Sequence, residues 1–332
     1  MMDEILNVQN LRKYFDIRLG FFGSILRKQR LFVKAVDDIS FSIKKGEIYG
    51  LAGESGSGKT TTGRVILRLV PPTSGKVLFK GKEILNLPER DFRPFREKMQ
   101  IIFQDPYESL NPRFTVYDIV SEPLRVMKKF NSEEEIEDAV LNALENVKIT
   151  PPEQFIFRYP HELSGGQRQR VAVARALVVN PEFIVADEPV SMLDVSIRAE
   201  VLNIMLELRN KMGVSFLFIT HDLALIRHIC DSVAIMYLGK IMERGSVENV
   251  IREPLHPYTR ALISAVPVPD PTSRRSEVVI KGEIPSPINP PSGCRFHTRC
   301  PSYIGDVCKK MEPELIDAGA GHYVACHLYS RC

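Results

Sequence analysis

A long hydrophobic run and a strong charge of one sign are both missing from this sequence of 332 residues. No apolar run approaches the roughly 18 residues that a membrane-spanning helix needs, so we expect no such helix. The formal net charge is only +3, which gives no general reason to expect nucleic acid as a partner. The first ten residues carry acidic side chains and lack the apolar core of an export signal, which favours a cytosolic protein.

Internal repeats are also missing, since no period of roughly 20–50 residues is visible along the chain. The length instead predicts about two domains of roughly 100–200 residues each. Cysteine is scarce and unevenly placed, because four of the six cysteines lie between Cys294 and Cys326. Disulfides are disfavoured in the cytosol, so such a group indicates metal or redox chemistry more than a disulfide framework.

The stretch EIYGLAGESGSGKTTTG, from residue 47, is typical of a strand, a glycine-rich turn and the start of a helix. Four residues separate Gly53 from Gly58, and Lys59 and Thr60 follow, which is the spacing of a P-loop. Small residues let backbone N–H groups surround phosphate oxygens, and the helix N-terminus adds partial positive charge. The alternative, a flexible turn, is disfavoured by the flanking strand and helix. The predicted ATP-binding residues are Gly53, Ser55, Gly56, Ser57, Gly58, Lys59, Thr60 and Thr61.

Within this loop, we expect Lys59 to reach the β- and γ-phosphates and the Thr60 hydroxyl to ligate Mg²⁺. A second metal ligand is predicted in NPEFIVADEP, where the apolar run 183–186 is typical of a buried parallel strand. Asp187 and Glu188 follow this strand, at the edge where ligands bind in open α/β sheets. Asp187 is the candidate Mg²⁺ ligand and Glu188 the candidate base for the attacking water, while a solvated acidic loop is the alternative.

Two further polar residues end apolar runs and are expected at the same ligand edge. His221 follows VSFLFIT and could hydrogen-bond the γ-phosphate. Gln104 follows MQIIF, and its amide could contact Mg²⁺ or the attacking water. Taken alone, His221 would more often be a structural histidine, and Gln104 would more often be an amide in a loop.

The segment HELSGGQRQR predicts the start of a long helix, because Ser164 and Gln167 fit a capping box. A cap does not explain the adjacent glycines, which lower helix stability by about 1 kcal/mol each relative to alanine. Close approach of a phosphate to the backbone would explain them. Because a P-loop is already present, this indicates a second nucleotide or one shared between two subunits.

GESGSGKT (53–60), Gln104, LSGGQ (163–167), VADEP (185–189) and His221, in this order, resemble the ATPase subunit of an ATP-binding cassette (ABC) transporter. The resemblance covers about residues 1–255. It implies an α/β fold with a P-loop NTPase (RecA-like) core, an antiparallel β subdomain and an α-helical subdomain at about 105–165. A small C-terminal extension, residues 256–332, follows.

The family resemblance also implies a head-to-tail dimer with ATP between the P-loop of one subunit and the LSGGQ of the other. It implies that Glu188 polarises water and that His221 senses the γ-phosphate. Asp194, in SMLD, is implied to cross the dimer interface. The residues implied to contact the partner's nucleotide are Ser164, Gly165, Gly166 and Gln167.

An aromatic residue on an early strand usually stacks on adenine in this family. LRKYF offers Tyr14 and Phe15, and strand alternation favours Phe15, with core packing as the alternative. The insert at 16–32 mixes Phe, Leu and Ile with Arg and Lys. It is either a loop near the membrane or partner subunit or a surface loop without function.

The single P-loop and single LSGGQ argue against relatives that act in translation or DNA repair, which usually carry two cassettes. A free-standing cassette resembles an importer subunit. REPLHPYTRALISAVPVPDP, PINPPSGCRFHTRCP and HYVACH are similar to the extension of the oligopeptide/dipeptide importer subfamily, over about residues 253–328. Uptake of di- or oligopeptides is therefore expected; nickel, an oligosaccharide, or a non-transport ABC ATPase are the alternatives.

This resemblance implies two transmembrane permease subunits, an indirect extracellular solute-binding protein and a position on the cytoplasmic face of the membrane. The insert after Phe15 resembles one of two sister ATPase subunits, which favours a heterodimer over a homodimer. Permeases are expected to dock on the helical region, in which residues 132–147 predict an amphipathic helix.

The four clustered cysteines are Cys294, Cys300, Cys308 and Cys326. They lack the close C-x2–4-C pair of most structural zinc sites, whereas wide spacing can enclose a [4Fe–4S] cluster. The family resemblance points the same way, because members with this extension have been found to carry such a cluster, and a cluster is therefore favoured. Zinc remains the alternative because His297, His322 and His327 are near in sequence. Since the extension lies outside the cassette in sequence and supplies none of the nucleotide motifs, we expect ATP binding at Lys59 to survive replacement of these cysteines.

Overall fold

The structure, a computed structural model, describes residues 4–17, 31–266, 280 and 282–330. Residues 18–30 of the insert lie outside the described residues, so its proposed roles stay predictions. The chain forms two compact units, each made of segments that are separate in sequence. The first comprises Met1–Ile5, Ile43–Ile48 and Asn86–Ile219, and the second Leu6–Ser42, Tyr49–Leu85 and Thr220–Cys332.

Strands alternate with single helices or groups of helices through the middle of the chain, as is typical of an α/β protein. The strands are β1 (Glu4–Ile17), β2 (Leu31–Lys44), β3 (Ile48–Ala52), β4 (Ser74–Phe79), β5 (Lys82–Glu83), β6 (Met99–Ile102), β7 (Phe183–Asp187), β8 (Ser215–Thr220), β9 (Ser232–Tyr237), β10 (Lys240–Ser246), β11 (Ile316–Asp317) and β12 (Tyr323–Val324). The helices are α1 (Lys59–Ile66), α2 (Glu89–Lys98), α3 (Pro106–Ser109), α4 (Val116–Met127), α5 (Glu133–Asn146), α6 (Gly165–Leu177), α7 (Val195–Met212), α8 (Leu223–Ile229), α9 (Val247–Arg252), α10 (Pro257–Ser264) and α11 (Asp306–Lys310).

Three parallel strands, in the order β8-β7-β6, organise the first unit. All residues of β7 and β8 are buried, as expected for strands covered on both faces. Helices α3, α4 and α5 lie in the region predicted to be helical, and α5 confirms the amphipathic helix at 132–147. Ser132 caps α5 with a capping box, which satisfies backbone N–H groups of its first turn.

A mixed sheet in the second unit has the order β11-β12-β10-β9-β3. β3 runs parallel to β9, while β10 is antiparallel to both β9 and β12. The two short strands β11 and β12 come from the C-terminal extension, so the extension adds strands to this sheet. A second sheet has the order β2-β1-β4-β5, with β4 antiparallel to β1 and β5, as the antiparallel β subdomain predicts.

The extension also shares the hydrophobic core of the second unit. Phe296 is fully buried and lies 5.4 Å from Tyr237 of β9 and 5.2 Å from Tyr258 of α10, measured between ring centroids. Arg295 forms a buried ion pair with Asp37 of β2. Aromatic packing and a buried charge pair therefore fix residues 294–300 against the cassette strands.

Within the described ranges, no helix combines the length and the apolar character needed to cross a membrane.

Candidate functional site

The P-loop follows β3 and leads into α1, as its spacing predicts. Gly53 has φ +149 and Gly58 has φ +106, both in the region that favours glycine. A Cβ at Gly53 would lie 2.1 Å from the Met236 carbonyl oxygen, and one at Gly58 would lie 2.0 Å from that of Ala35. These two glycines are therefore required by the fold of the loop as well as by any phosphate it binds.

Lys59 is buried at the first position of α1. Its Nζ donates hydrogen bonds to the carbonyl oxygens of Gly53 at 2.8 Å and Glu54 at 2.9 Å. The ammonium is thus directed back over the loop that precedes it. The arrangement can offer both backbone N–H groups and a positive charge to an anion.

Two residues of the extension reach the same loop, and the sequence did not indicate them. The Tyr258 hydroxyl accepts a hydrogen bond from the Glu54 N–H at 3.0 Å. Arg299 forms an ion pair with the Glu54 carboxylate, with Nη1 and Oε2 2.8 Å apart. Burial is the largest single effect on the pKa of Arg299 and lowers it, but the hydrogen bonds to Glu54 and Tyr237 and the charges of both groups together raise it more, so that the net shift is upward. The extension lies outside the cassette in sequence, yet two of its residues contact the P-loop.

In the first unit, Gln104 and Glu188 meet as expected for residues that follow neighbouring parallel strands. Gln104 Nε2 donates to Glu188 Oε2 at 3.1 Å, and β6 and β7 pair with Ile102 opposite Ala186. Glu188 has φ +45, and its N–H donates to the Ile219 carbonyl of β8 at 2.9 Å. This left-handed residue turns the chain after Asp187, which ends β7 and is buried.

The capping box at the start of α6 is confirmed. Ser164 Oγ accepts the Gln167 N–H at 3.3 Å, and Gln167 Oε1 accepts the Ser164 N–H at 3.0 Å. Gly166 has a packing role that the sequence did not reveal, because a Cβ there would lie 2.5 Å from Ile197 of α7. Gly165 has no such crowding, since its Cβ would meet atoms only at 3.9 Å.

Asp194 precedes α7 on an exposed segment of the first unit. Two apolar neighbours, Met192 and Val195, are 60% and 79% exposed. Asp194 therefore lies on the surface of the first unit, beside two exposed apolar side chains.

The remaining nucleotide candidates lie in the second unit. His221 follows the last residue of β8 and is exposed. Phe15 is 39% exposed, with Lys13 Nζ 4.7 Å from its ring centroid, so it is not a core residue. Tyr14 instead donates its hydroxyl to Asp37, and burial together with that bond raises its pKa to about 12.

Cys294, Cys308 and Cys326 are buried, while Cys300 is half-buried. Burial raises the pKa of the Cys294 thiol to about 12, and the neighbouring thiols of Cys326, Cys300 and Cys308 add to this. Burial likewise raises the pKa of Cys326 to about 11. The four thiols are therefore near enough to interact electrostatically.

A metal centre, however, is not formed by these side chains. In the part of the chain that the structure describes, no three His, Cys, Asp or Glu residues form a group that could hold a metal ion. The histidines considered for zinc have other partners: His297 Nδ1 lies 2.8 Å from the Cys294 carbonyl and His327 Nε2 2.9 Å from that of Met311. His322 Nε2 lies 2.7 Å from Glu243 Oε1. The thiols as placed do not have the arrangement of a bound cluster.

Comparison with known proteins supports the expectations drawn from the motifs. Residues 36–191 match the model of the ABC transporter family, and residues 242–308 match the oligopeptide/dipeptide transporter C-terminal region. The oligopeptide transport ATP-binding protein AppF of Bacillus subtilis is 50% identical over 99% of this chain and 98% of its own.

Solved structures of ATP-binding cassettes are similar to this chain. A dimeric post-hydrolysis state of the cassette MJ0796, bound to ADP and phosphate, has a TM-score of 0.63 at 28% identity, over 73% of this chain and 98% of that one. Cassette cbiO1 of Clostridium perfringens, part of the transporter complex cbiONQ, has a TM-score of 0.63 at 31% identity, over 76% of this chain and 92% of that one. The predicted P-loop NTPase fold is confirmed.

Proposed function

Because this chain belongs to the ABC transporter family, as an ATP-hydrolysing subunit with the oligopeptide/dipeptide C-terminal region, we propose that it energises the uptake of di- and oligopeptides. One observation carries the proposal. The 50% identity to an oligopeptide transport ATP-binding protein continues through the extension to cover 99% of the chain. The extension separates this subfamily from cassettes that share only the ATPase core.

Phosphate binding is assigned to the P-loop, residues 53–60. Lys59 binds the β- and γ-phosphates after leaving the carbonyls of Gly53 and Glu54 that it contacts now. The loop N–H groups of Ser55, Gly56, Ser57 and Gly58 face the remaining oxygens, with Thr60 and Thr61 at the helix N-terminus. The buried, loop-directed ammonium of Lys59 supports this assignment.

Water activation is assigned to Glu188, with Gln104 holding the water in line. The 3.1 Å hydrogen bond between their side chains supports a shared task. Asp187 suits a Mg²⁺ shell because carboxylate oxygens are preferred magnesium ligands, and Thr60 adds a hydroxyl ligand. Mg²⁺, when bound, neutralises charge on the phosphate oxygens. His221 is the γ-phosphate sensor, and Phe15 stacks on adenine through its exposed ring.

Each nucleotide is shared between two ATPase subunits. Ser164, Gly165, Gly166 and Gln167 contact the partner's nucleotide, and Asp194 lies in the interface. The exposed Met192 and Val195 beside Asp194 support a covered surface there. The partner is a sister subunit, a second copy being the alternative.

The subunit lies on the cytoplasmic face of the membrane, against two permease subunits that receive peptides from a solute-binding protein. A cavity in the first unit supports this docking, because the apolar residues Phe103, Leu110 and Pro123 line it.

For the extension we propose a [4Fe–4S] cluster on Cys294, Cys300, Cys308 and Cys326, with zinc as the alternative. Its support is electrostatic: burial, with neighbouring thiols adding to it, raises the pKa of Cys294, Cys300 and Cys326, and a bound cation would remove that cost of ionisation. Binding would require the thiols to move together from their present positions.

The function is tested by purifying the chain with its membrane partners and reconstituting the complex in vesicles. Peptide-dependent ATP hydrolysis together with peptide uptake is the expected result. Stimulation by nickel or an oligosaccharide alone would assign another cargo. Co-purification with ribosomes or DNA, and with no permease, would contradict a transport role.

A further inference from the structure

Glu54 is the only acidic residue within the P-loop, residues 53–60. A loop that binds a triphosphate gains from positive charge, whereas a carboxylate beside the phosphates repels them. The repulsion is stronger where water is excluded, as it is around a buried loop lysine. The loop therefore contains a charge that opposes its own ligand unless another group neutralises it.

Arg299 of the extension is the group that neutralises this carboxylate. Its Nη1 donates to Glu54 Oε2 at 2.8 Å and its Nη2 to Glu54 Oε1 at 3.3 Å, which is a two-point contact. The Arg299 side chain is 9% exposed and that of Glu54 is 22% exposed. An ion pair shielded in this way is screened less by salt than a surface pair.

The guanidinium is itself held in place by aromatic residues. Nη1 of Arg299 lies 3.3 Å from the Tyr237 hydroxyl, and its guanidinium carbon lies 5.8 Å from the Tyr237 ring centroid. Tyr237 packs on Tyr258, whose hydroxyl accepts the Glu54 N–H. Both the backbone and the side chain of Glu54 are thus fixed by residues beyond the nucleotide motifs.

Glu54 also connects Arg299 to the P-loop lysine, because its carbonyl oxygen accepts a hydrogen bond from Lys59. We propose that Arg299 is a positioning residue of the nucleotide site, which neutralises Glu54 and keeps the P-loop in a form that accepts MgATP. The proposal rests on the assignment of residues 53–60 as the phosphate site. It makes the extension a part of the ATP-binding apparatus.

The test is MgATP titration of the full chain carrying Arg299→Ala. The dissociation constant is expected to rise about 5- to 20-fold, because the substitution leaves a carboxylate without its partner next to the phosphates. Affinity of the variant should also fall less steeply with added salt, since screening weakens the new repulsion. Arg299→Lys keeps the charge and should lose less affinity than Arg299→Ala.

A second substitution separates charge neutralisation from a merely structural role. Glu54→Gln removes the repelling charge, so the double variant with Arg299→Ala should bind MgATP nearly as well as Glu54→Gln alone. No rescue in the double variant, or wild-type affinity in Arg299→Ala, would overturn the proposal. Preparations are compared at equal metal content and matched circular dichroism.

Two control variants distinguish the role of Arg299 from the assignment of residues 53–60 as the phosphate site. Arg252→Ala removes an exposed ion pair with Glu248, elsewhere in the same unit, and should leave affinity unchanged. Lys59→Ala should abolish tight binding. If Lys59→Ala binds MgATP like the wild type, the assignment of the phosphate site is wrong. If Lys59→Ala loses binding while Arg299→Ala binds like the wild type, only the role of Arg299 is wrong.

Discussion

At the residue scale, the general-base role proposed for Glu188 requires a carboxylate placed just after a buried strand. Glu188 takes a left-handed conformation directly after β7, and this turns its side chain to Gln104. Non-glycine residues are uncommon in this region and are often found at functional sites. The position agrees with a base that must face a water molecule beyond the end of the sheet.

Glu188→Gln should keep MgATP binding and lower steady-state hydrolysis by about 100-fold or more, because an amide cannot accept a proton from water. Turnover by the reconstituted complex and nucleotide binding by the chain are the two measurements. The matched control is Glu182→Gln, which changes a carboxylate paired with Lys98 just before β7. Turnover near the wild-type value in Glu188→Gln would remove the general-base assignment.

Motif residues could be predicted because their roles depend on local spacing. Gly53 and Gly58 are fixed by one turn between a strand and a helix, and sequence alone specifies that turn. The contact of Arg299 with Glu54 joins residues 245 positions apart. No periodicity or spacing links them, so only the packed structure could reveal the pair.

Helix α6 shows at the element scale how one segment satisfies two demands. Its capping box satisfies N–H groups of the first turn, as the sequence predicted. Gly166 lets α6 approach Ile197 of α7, which the sequence did not predict. Tight helix packing thus accounts for one of the paired glycines, and the uncrowded Gly165 is left for a function beyond packing.

Ser164→Arg should block hydrolysis while the isolated chain still binds MgATP at its own P-loop. The long side chain would occupy the space that the partner's γ-phosphate needs. Ser132→Arg is the control, because Ser132 caps α5 with the same type of box and its loss costs only about 1 kcal/mol of stability. Equal hydrolysis by both variants would reduce LSGGQ to a helix cap.

A buried titratable residue, His256, lies directly before helix α10 as its N-cap. His256 Nδ1 accepts the Tyr258 N–H at 3.0 Å, and burial, aided by the charge of Arg260, lowers the His256 pKa to about 3. The unfolded histidine titrates near 6.5, so below that pH the unfolded chain binds a proton that the folded chain does not. This raises the free energy of unfolding with pH between about 3 and 6.5, by at most about 1.4 kcal/mol per unit.

His256→Asn should keep the helix cap, since asparagine is a good capping residue, and lose this part of the pH dependence. The free energy of unfolding is measured in denaturant at pH 5 and pH 7.5. Its difference between the two pH values should be smaller in the variant than in the wild type. The same difference in both chains would show that His256 does not remain neutral when folded.

At the scale of the whole molecule, the extension is an integral part of the second unit, because it contributes strands and buried side chains to it. It adds β11 and β12 to a sheet, buries Phe296 against Tyr237 of the cassette and pairs Arg295 with Asp37. The sequence identifies the extension by resemblance and predicts it as a region distinct from the cassette. The reason is physical: a proline-rich segment with few apolar residues gives no periodic signal of where it packs.

Metal binding by the extension is expected to depend on its four clustered cysteines. Protein prepared without oxygen should be brown and hold about four irons per chain, with broad thiolate-to-iron absorption. Serine at Cys294, Cys300, Cys308 or Cys326 should lower the iron content, whereas Cys230→Ser should not, because Cys230 packs against the hydrophobic core of the second unit. One zinc without iron or sulfide, in cells grown with ample iron, would favour a zinc site instead. Metal-free protein under these conditions would leave the four thiols as a buried group of the fold and remove the cofactor from this subunit.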